Sequence, residues 1–241
     1  MVCGQAGDVD RAQLVRAFLA SRRDPSYLEI GVRGGANFRT ISAQTRIGVD
    51  PALLGRRRNA LATVSAMKAR AGLHRGTFLF SSTSDDFFAR RSAFIRRLSG
   101  FDCVLVDGLH TAEQAFRDVV NALEVLRPQG LIVMHDCNPR SETAALPSLD
   151  DASERADFAG TWNGDVWKAV VKLRTRRDLT VSVLDCDHGL GVVRRGEPSD
   201  PLEMSEGALS AMTYADLDGA RETLLELVPQ DEFARLIAVS P

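Results

Sequence analysis

Short apolar runs alternate with stretches of helical spacing along most of this chain. Leu14, Val15, Phe18 and Leu19 give residues 10–21 the stripe of an amphipathic helix, and Asp24-Pro25 stops it. Residues 27–31 (Tyr-Leu-Glu-Ile-Gly) read as a short buried strand, followed by a glycine-rich turn and a helix through about Gln44. Residues 46–50 predict a second strand, which Pro51 ends, and an Ala-, Leu- and Arg-rich helix then runs to about Ala71. A third strand is expected over 77–80. Ser84 is placed to cap the next helix, with Asp85 and Asp86 in its first turn, where negative charge suits the helix dipole. The apolar run 101–107 is a fourth strand. Thr111-Ala-Glu-Gln114 has the form of a capping box, with Ala115, Val119, Leu123 and Leu126 as the stripe behind it. Pro128 and Gly130 end that helix, and 131–134 form a fifth strand.

Residues 138–164 are a long irregular stretch, and loops of that length inside a compact domain are usually functional or disordered. A helix over 165–177 follows. Residues 179–184 and 190–195 then form an antiparallel hairpin, with Asp187-His188 as a solvated turn. Beyond Gly196 come a Pro-containing linker, a strong helix over 214–227 and a short last one. The alternation predicts an α/β fold: a doubly wound, mostly parallel seven-stranded sheet with helices on both faces, a terminal antiparallel hairpin and added N- and C-terminal helices. Residues 1–196 would form the main domain and 197–241 a helical extension.

Composition narrows the class. Hydrophobic residues make up 44% and charged residues 26%, ordinary values for a soluble globular protein. Thirty basic and 32 acidic residues give a net charge of −2, so no overall basic field draws the chain to nucleic acid or membrane. The arginine runs at 56–58 and 174–177 read as solvated surface. Cys3, Cys103, Cys137 and Cys186 lack CxxC or zinc-type spacing and read as reduced thiols of a cytoplasmic protein. The N-terminus has no secretory pattern, and no apolar stretch approaches the ~18–20 residues that span a bilayer.

Two clusters carry the candidate chemistry. In the turn after the first strand, Gly31, Gly34 and Gly35 permit positive φ and close approach of a ligand to the backbone. Asp50 ends the second strand about 20 residues further on, where an acid can accept hydrogen bonds from ribose hydroxyls. A nucleoside-bearing ligand is therefore expected across the ends of strands one and two. The second cluster is Asp107-x-x-His110 with His135-Asp136. Each pair ends a strand, and one helix joins the strands, so a parallel crossover brings both to the same sheet edge. Two carboxylates and two imidazoles there suit a divalent cation or acid–base work. Cys137 beside His135 has no orienting Asn or Asp at a recognisable spacing and is not read as a nucleophile.

The glycine turn is not G-x-G-x-x-G, because Arg33 stands two residues after Gly31. Its E-x-G-x-x-x-G pattern (Glu29, Gly31, Gly35), with Asp50 beyond, resembles motif I and the ribose-binding acid of the class I S-adenosylmethionine-dependent methyltransferases. D-G-x-H at 107–110, H-D at 135–136 and Trp-x-Gly-Asp-Val-Trp at 162–167 resemble the small-molecule O-methyltransferases grouped with macrolide-sugar and cephalosporin-tailoring enzymes. The similarity covers roughly residues 27–195. It implies a Rossmann-like sheet, S-adenosylmethionine as cofactor and O-methylation of a small-molecule acceptor, such as a sugar or another secondary metabolite. It also implies that Glu29, Gly31, Gly35, Asp50 and Asp107 hold the cofactor, Glu29 near the methionine amino group, with Ser84 and Asp85 near the adenine. Asp107 and Asp136 would bind Mg²⁺, and His110 would take the proton from the acceptor hydroxyl.

One position departs from the family. His135 stands where those enzymes carry an acid, and imidazole suits softer ions than Mg²⁺. Three readings follow: a different divalent metal bound by Asp107, His135 and Asp136; His135 as a second base; or no metal at all. Trp162 and Trp167 either shape the acceptor pocket or anchor the long loop. The apolar faces of the terminal helices suggest a cap or a homodimer contact. Two rival functions stand beside methyl transfer: a catalytically silent binder of S-adenosylmethionine or a nucleoside, and a nucleotide-dependent enzyme on a similar sheet. The missing G-x-G-x-x-G argues against the latter.

Overall fold

The period-two alternation of the strands sends neighbouring side chains to opposite faces, and both faces are apolar. In strand β1 (Ser26–Ile30), Leu28 and Ile30 join one core, while Tyr27 packs in the other. Strand β4 (Phe101–Val106) divides in the same way: Val104 and Val106 to the first core, Cys103 and Leu105 to the second. A sheet buried on both faces needs helices on both, which the chain supplies through its crossovers. A computed structural model describes residues 9–53, 64–65, 67–69 and 71–238.

The other strands are β2 (Thr45–Val49), β3 (Gly76–Phe80), β5 (Leu126–Met134), β6 (Leu179–Leu184), β7 (Leu190–Arg195) and β8 (Leu227–Val228). The order across the sheet is β3-β2-β1-β4-β5-β7-β6-β8. Strands β1 to β5 pair in parallel, while β7 runs antiparallel to both β5 and β6. The expected architecture is present with one strand more than the seven anticipated. The predicted helix over 214–227 ends at Leu225, and Glu226 in the left-handed region turns the chain so that Leu227 and Val228 pair parallel with β6. A two-residue strand carries no periodicity from which it could be predicted.

On one face lie α1 (Arg11–Ala20) and α2 (Ala36–Thr40). On the other lie α3 (Ser84–Arg90), α4 (Ser92–Arg97), α5 (Ala112–Val125) and α7 (Val166–Arg174). The long stretch after β5 is ordered and holds α6 (Leu149–Ser153). The C-terminal part adds α8 (Glu206–Ala211), α9 (Tyr214–Leu225) and α10 (Phe233–Ile237). Of the helix predicted between Pro51 and Ala71, residues 52–53, 64–65 and 67–69 are described: the first two are not helical, and the other stretches are. The arginines at 56–58 and Cys3 lie outside the described residues.

Three local expectations are corrected. Helix α2 stops at Thr40, short of Gln44, because Ile41 is extended and the chain returns to pair Thr45 with β1. Thr83, not Ser84, caps α3: its extended backbone aims Oγ1 at the Asp86 N–H (3.1 Å), leaving Ser84 as the first helical residue. The Thr111 cap of α5 forms, but the Gln114 side chain does not return to it and reaches Ser84 and Asp118 instead. Among the described residues, no helix is long and apolar enough to cross a membrane.

Candidate functional site

Strand order reverses between β1 and β4: β2 and β3 lie to one side of β1, and β4 and β5 to the other. Crevices at such a point, beyond the carboxyl ends of the strands, are where open α/β sheets bind ligands. Gly31 and Asp107 face each other across it. Gly31 has φ +92°, and a Cβ there would lie 1.8 Å from the Asp107 carbonyl oxygen, so only glycine lets the two strand ends come together. Gly35 (φ +65°) starts α2. Asp50, almost buried at the end of β2, accepts hydrogen bonds from the Arg33 and Ala52 amides (2.6 and 2.7 Å). Its carboxylate thereby ties the glycine turn to β2 and retains lone pairs for further donors.

Alternation along β1 places Glu29 on the same face as Tyr27, 2% exposed. The Tyr27 hydroxyl donates to its Oε2 (2.6 Å), as does the Asn37 amide of α2 (2.8 Å). Burial raises the Glu29 carboxyl to about 7, against the lowering effect of those two hydrogen bonds. Ser84 and Asp85 sit apart from this group, against α5. Gln114 donates to both (3.2 and 3.4 Å) and to Asp118 (3.0 Å). Asp118 is 1% exposed, and burial raises it to about 6. It would lie 3.7 Å from a Cβ on Gly108, which links the Ser84 group to the turn after β4. Asp118 adjoins an apolar helical stripe and was not anticipated from sequence.

The second cluster forms where β4 and β5 end side by side. One ligand atom from each of Asp107, His110 and Asp136 falls within a mutual 4.8 Å, an arrangement able to hold a metal ion. Asp136 is buried in the left-handed region (φ +61°), a backbone conformation that costs energy in a non-glycine residue and concentrates at functional sites. The Asn163 amide donates to its Oδ1 (2.7 Å). The two histidines differ. His135 is 8% exposed with both ring nitrogens engaged: Nδ1 with Asp136 (2.8 Å) and Asp107 (3.3 Å), Nε2 with Arg11 (2.5 Å) and Asp187 (3.3 Å). Burial alone would lower its pKa; hydrogen bonds to Asp107, Asp136 and Asp187 outweigh that and push it up to about 11. Among the described residues, His110 Nδ1 is buried without a hydrogen-bond partner, although Asp136 Oδ2 lies 3.3 Å away. Burial lowers the His110 pKa as well, and Asp107 and Asp136 together more than reverse it. Burial raises Asp107, but hydrogen bonds from both histidines and the charges of His135 and Arg11 hold it far below the usual carboxylate range.

The long loop forms the wall of this cluster. Trp162 stacks on His110 and donates to the Leu146 carbonyl (2.7 Å). Asp165 accepts from the Ala112 amide (2.6 Å) at the start of α5. The two tryptophans thus divide the alternatives: Trp162 lines the cluster, while Trp167 is 1% exposed in the core. The hairpin turn is solvated at His188, which is exposed, but not at Asp187. Asp187 accepts from Arg11 and approaches His135, because β7 pairs with β5 and swings the turn over the end of β5. Arg11, from the start of α1, is the other residue that sequence did not bring here. Cys137 is wholly buried, and burial pushes its thiol far up, which leaves no nucleophile at that position.

A doubly wound sheet in this strand order, with β7 antiparallel beside β5 and β6, is the Rossmann-like fold of the class I S-adenosylmethionine-dependent methyltransferases. A family profile described as "Methyltransferase domain" matches residues 28–137. Among solved structures, the chain is 15% identical to a protein from Staphylococcus aureus provisionally named a caffeoyl-CoA O-methyltransferase. That match covers 78% of this chain and 85% of that one, with a TM-score of 0.52. It is 14% identical to cofactor-bound Rv0187 from MTB, over 80% and 84% of the two chains, with a TM-score of 0.51. At such identities the likeness is one of fold. No curated protein sequence matches the chain.

Proposed function

We propose that this protein transfers a methyl group from S-adenosylmethionine to a hydroxyl of a small-molecule acceptor. The observation that carries the reading is the pairing, across one switch point, of a glycine-and-acid turn (Glu29, Gly31, Gly35, Asp50) with His110, whose buried Nδ1 has no hydrogen-bond partner. The donor set fits the cofactor: carboxylates for an ammonium and for ribose hydroxyls, and a turn without side chains at 31, 34 and 35. Glu29, Gly31, Gly35, Asp50 and Asp107 would hold it, with Ser84 and Asp85 towards the adenine. When bound, S-adenosylmethionine supplies an electrophilic methyl group.

The protein's own residues supply the proton chemistry. His110 takes the acceptor's hydroxyl proton, and Trp162 holds the ring in place. Asp107 and Asp136 stabilise the imidazolium that results. His135, engaged at both nitrogens, is a positioning residue for the two carboxylates rather than a second base. Alternatively a divalent ion would be held by Asp107, Asp136 and His110, with His110 then a ligand in place of a base, and the ion would lower the pKa of a hydroxyl beside it. That donor set, one imidazole with two carboxylates, suits Mn²⁺ or Fe²⁺ better than Mg²⁺.

Calorimetric titration of S-adenosylmethionine into the protein and into Asp50→Ala is the first test, followed by assay of S-adenosylhomocysteine release with hydroxylated sugars and phenols. Binding that Asp50→Ala weakens, with turnover on a hydroxyl acceptor, is expected. Absence of binding to the unaltered protein would overturn the reading.

A further inference from the structure

Arg11 opens helix α1, yet its side chain ends inside the cluster formed by β4, β5 and the β6–β7 turn. Its Nε lies 3.3 Å from Asp107 Oδ2, and its Nη1 donates to Asp187 (3.0 Å) and lies 2.5 Å from His135 Nε2. The Arg11 backbone amide also donates to Asp187 (2.9 Å), so the helix start and the guanidinium are fixed by the same carboxylate. Three carboxylates, Asp107, Asp136 and Asp187, converge here, and Arg11 is a permanently charged cation among them. Asp107 is shared: Oδ2 faces Arg11, and Oδ1 faces His110 and His135.

From this geometry we infer that Arg11 is a built-in counter-cation, which weakens the hold of Asp107, His110 and Asp136 on a divalent metal. Two effects act together. The guanidinium occupies one oxygen of a ligand carboxylate, and its charge repels a second cation brought within a few ångströms in a poorly solvated site. An acidic cluster that resembles a metal centre in sequence is thereby made a poor one by a residue from a distant part of the chain. The inference concerns cation preference and does not depend on methyl transfer.

The test is Mn²⁺ binding, read by the loss of the free-ion paramagnetic resonance signal on titration with protein. Arg11→Met should bind Mn²⁺ ~10-fold or more tightly than the unaltered protein. Arg11→Lys, which keeps the charge, should stay near the unaltered value. Adding Asp107→Asn to Arg11→Met should abolish the gain and so locate it. Arg11→Gln keeps a donor for Asp187 without the charge and carries the same expectation should Arg11→Met fail to fold. Equal affinity in the unaltered and uncharged variants, or a gain as large in Arg11→Lys, would overturn the inference. Neither result bears on S-adenosylmethionine binding, which tests the functional reading separately.

Discussion

Trp162 lies face to face with His110, their ring centroids 4.9 Å apart and their planes 17° from parallel. A stacked indole limits the imidazole to one orientation, while the Leu146 carbonyl fixes the indole by its N–H. Trp162→Leu should destabilise the fold by about 1–3 kcal/mol, measured by urea unfolding, since it removes an aromatic pair and partly buried area. Under the proposed function it should also lower kcat with little change in cofactor affinity.

The two histidines should separate kinetically. His110→Ala should reduce methyl transfer by roughly 10²–10⁴-fold, the usual contribution of a positioned base, while calorimetry finds cofactor binding retained. His135→Ala should cost stability as well, because it removes the buried ring nitrogen that Asp107 and Asp136 share. Equal kinetic loss in both, with unchanged stability, would assign the proton transfer differently.

Glu29 makes stability depend on pH in a direction opposite to most carboxylates. Its pKa is raised from 4.5 to about 7 in the folded protein, so the native state holds the proton more tightly than the unfolded chain. The associated stability is fully present below pH 4.5 and is lost as pH rises through about 7. A shift of that size corresponds to something on the order of 3 kcal/mol. Glu29→Gln should therefore gain on the unaltered protein between pH 4.5 and 7.5, followed by urea midpoints. The buried, unpartnered Asn37 Oδ1 offers the new amide an acceptor.

Two glycines should resist replacement. Gly31→Ala and Gly164→Ala each combine positive φ (+92° and +67°) with a Cβ 1.8 Å from a carbonyl oxygen, that of Asp107 and of His110 respectively. Each should cost about 2–4 kcal/mol in chemical denaturation. Gly34→Ala, whose Cβ would meet nothing within 4 Å, is the control and should be close to neutral.

A buried arginine of α7 ties down the C-terminal segment. Arg174, 4% exposed, donates to the Thr223 and Asp200 carbonyls and to Glu226. Arg174→Met would leave those carbonyls without their donor. Hydrogen exchange should then accelerate across 200–228 while the amides of β1 and β4 remain protected. Uniform acceleration would mean that the segment does not open independently.

The sequence by itself determined the layers of this protein. Short apolar runs and helical spacings marked β1 to β7 and the long helices, because burial on both sheet faces leaves apolar runs that local composition reveals. Glu29, Asp50, Asp107, His135 and Asp136 stood out for a related reason: each ends or interrupts an apolar run of a strand, where a polar group must be explained, and Gly31 and His110 stood out by their spacing from Glu29 and Asp107. Tertiary structure alone decided what these groups meet. Arg11 sits in the first turn of a helix like any surface arginine, Asp187 in what reads as a solvated turn, and Asp118 beside an apolar stripe. Contacts between segments far apart in the chain, α1 with the hairpin turn and the long loop with β5, brought Arg11 to Asp107 and Trp162 to His110. Periodicity reports which face of an element is buried, and it carries no information about which distant charge will be waiting there.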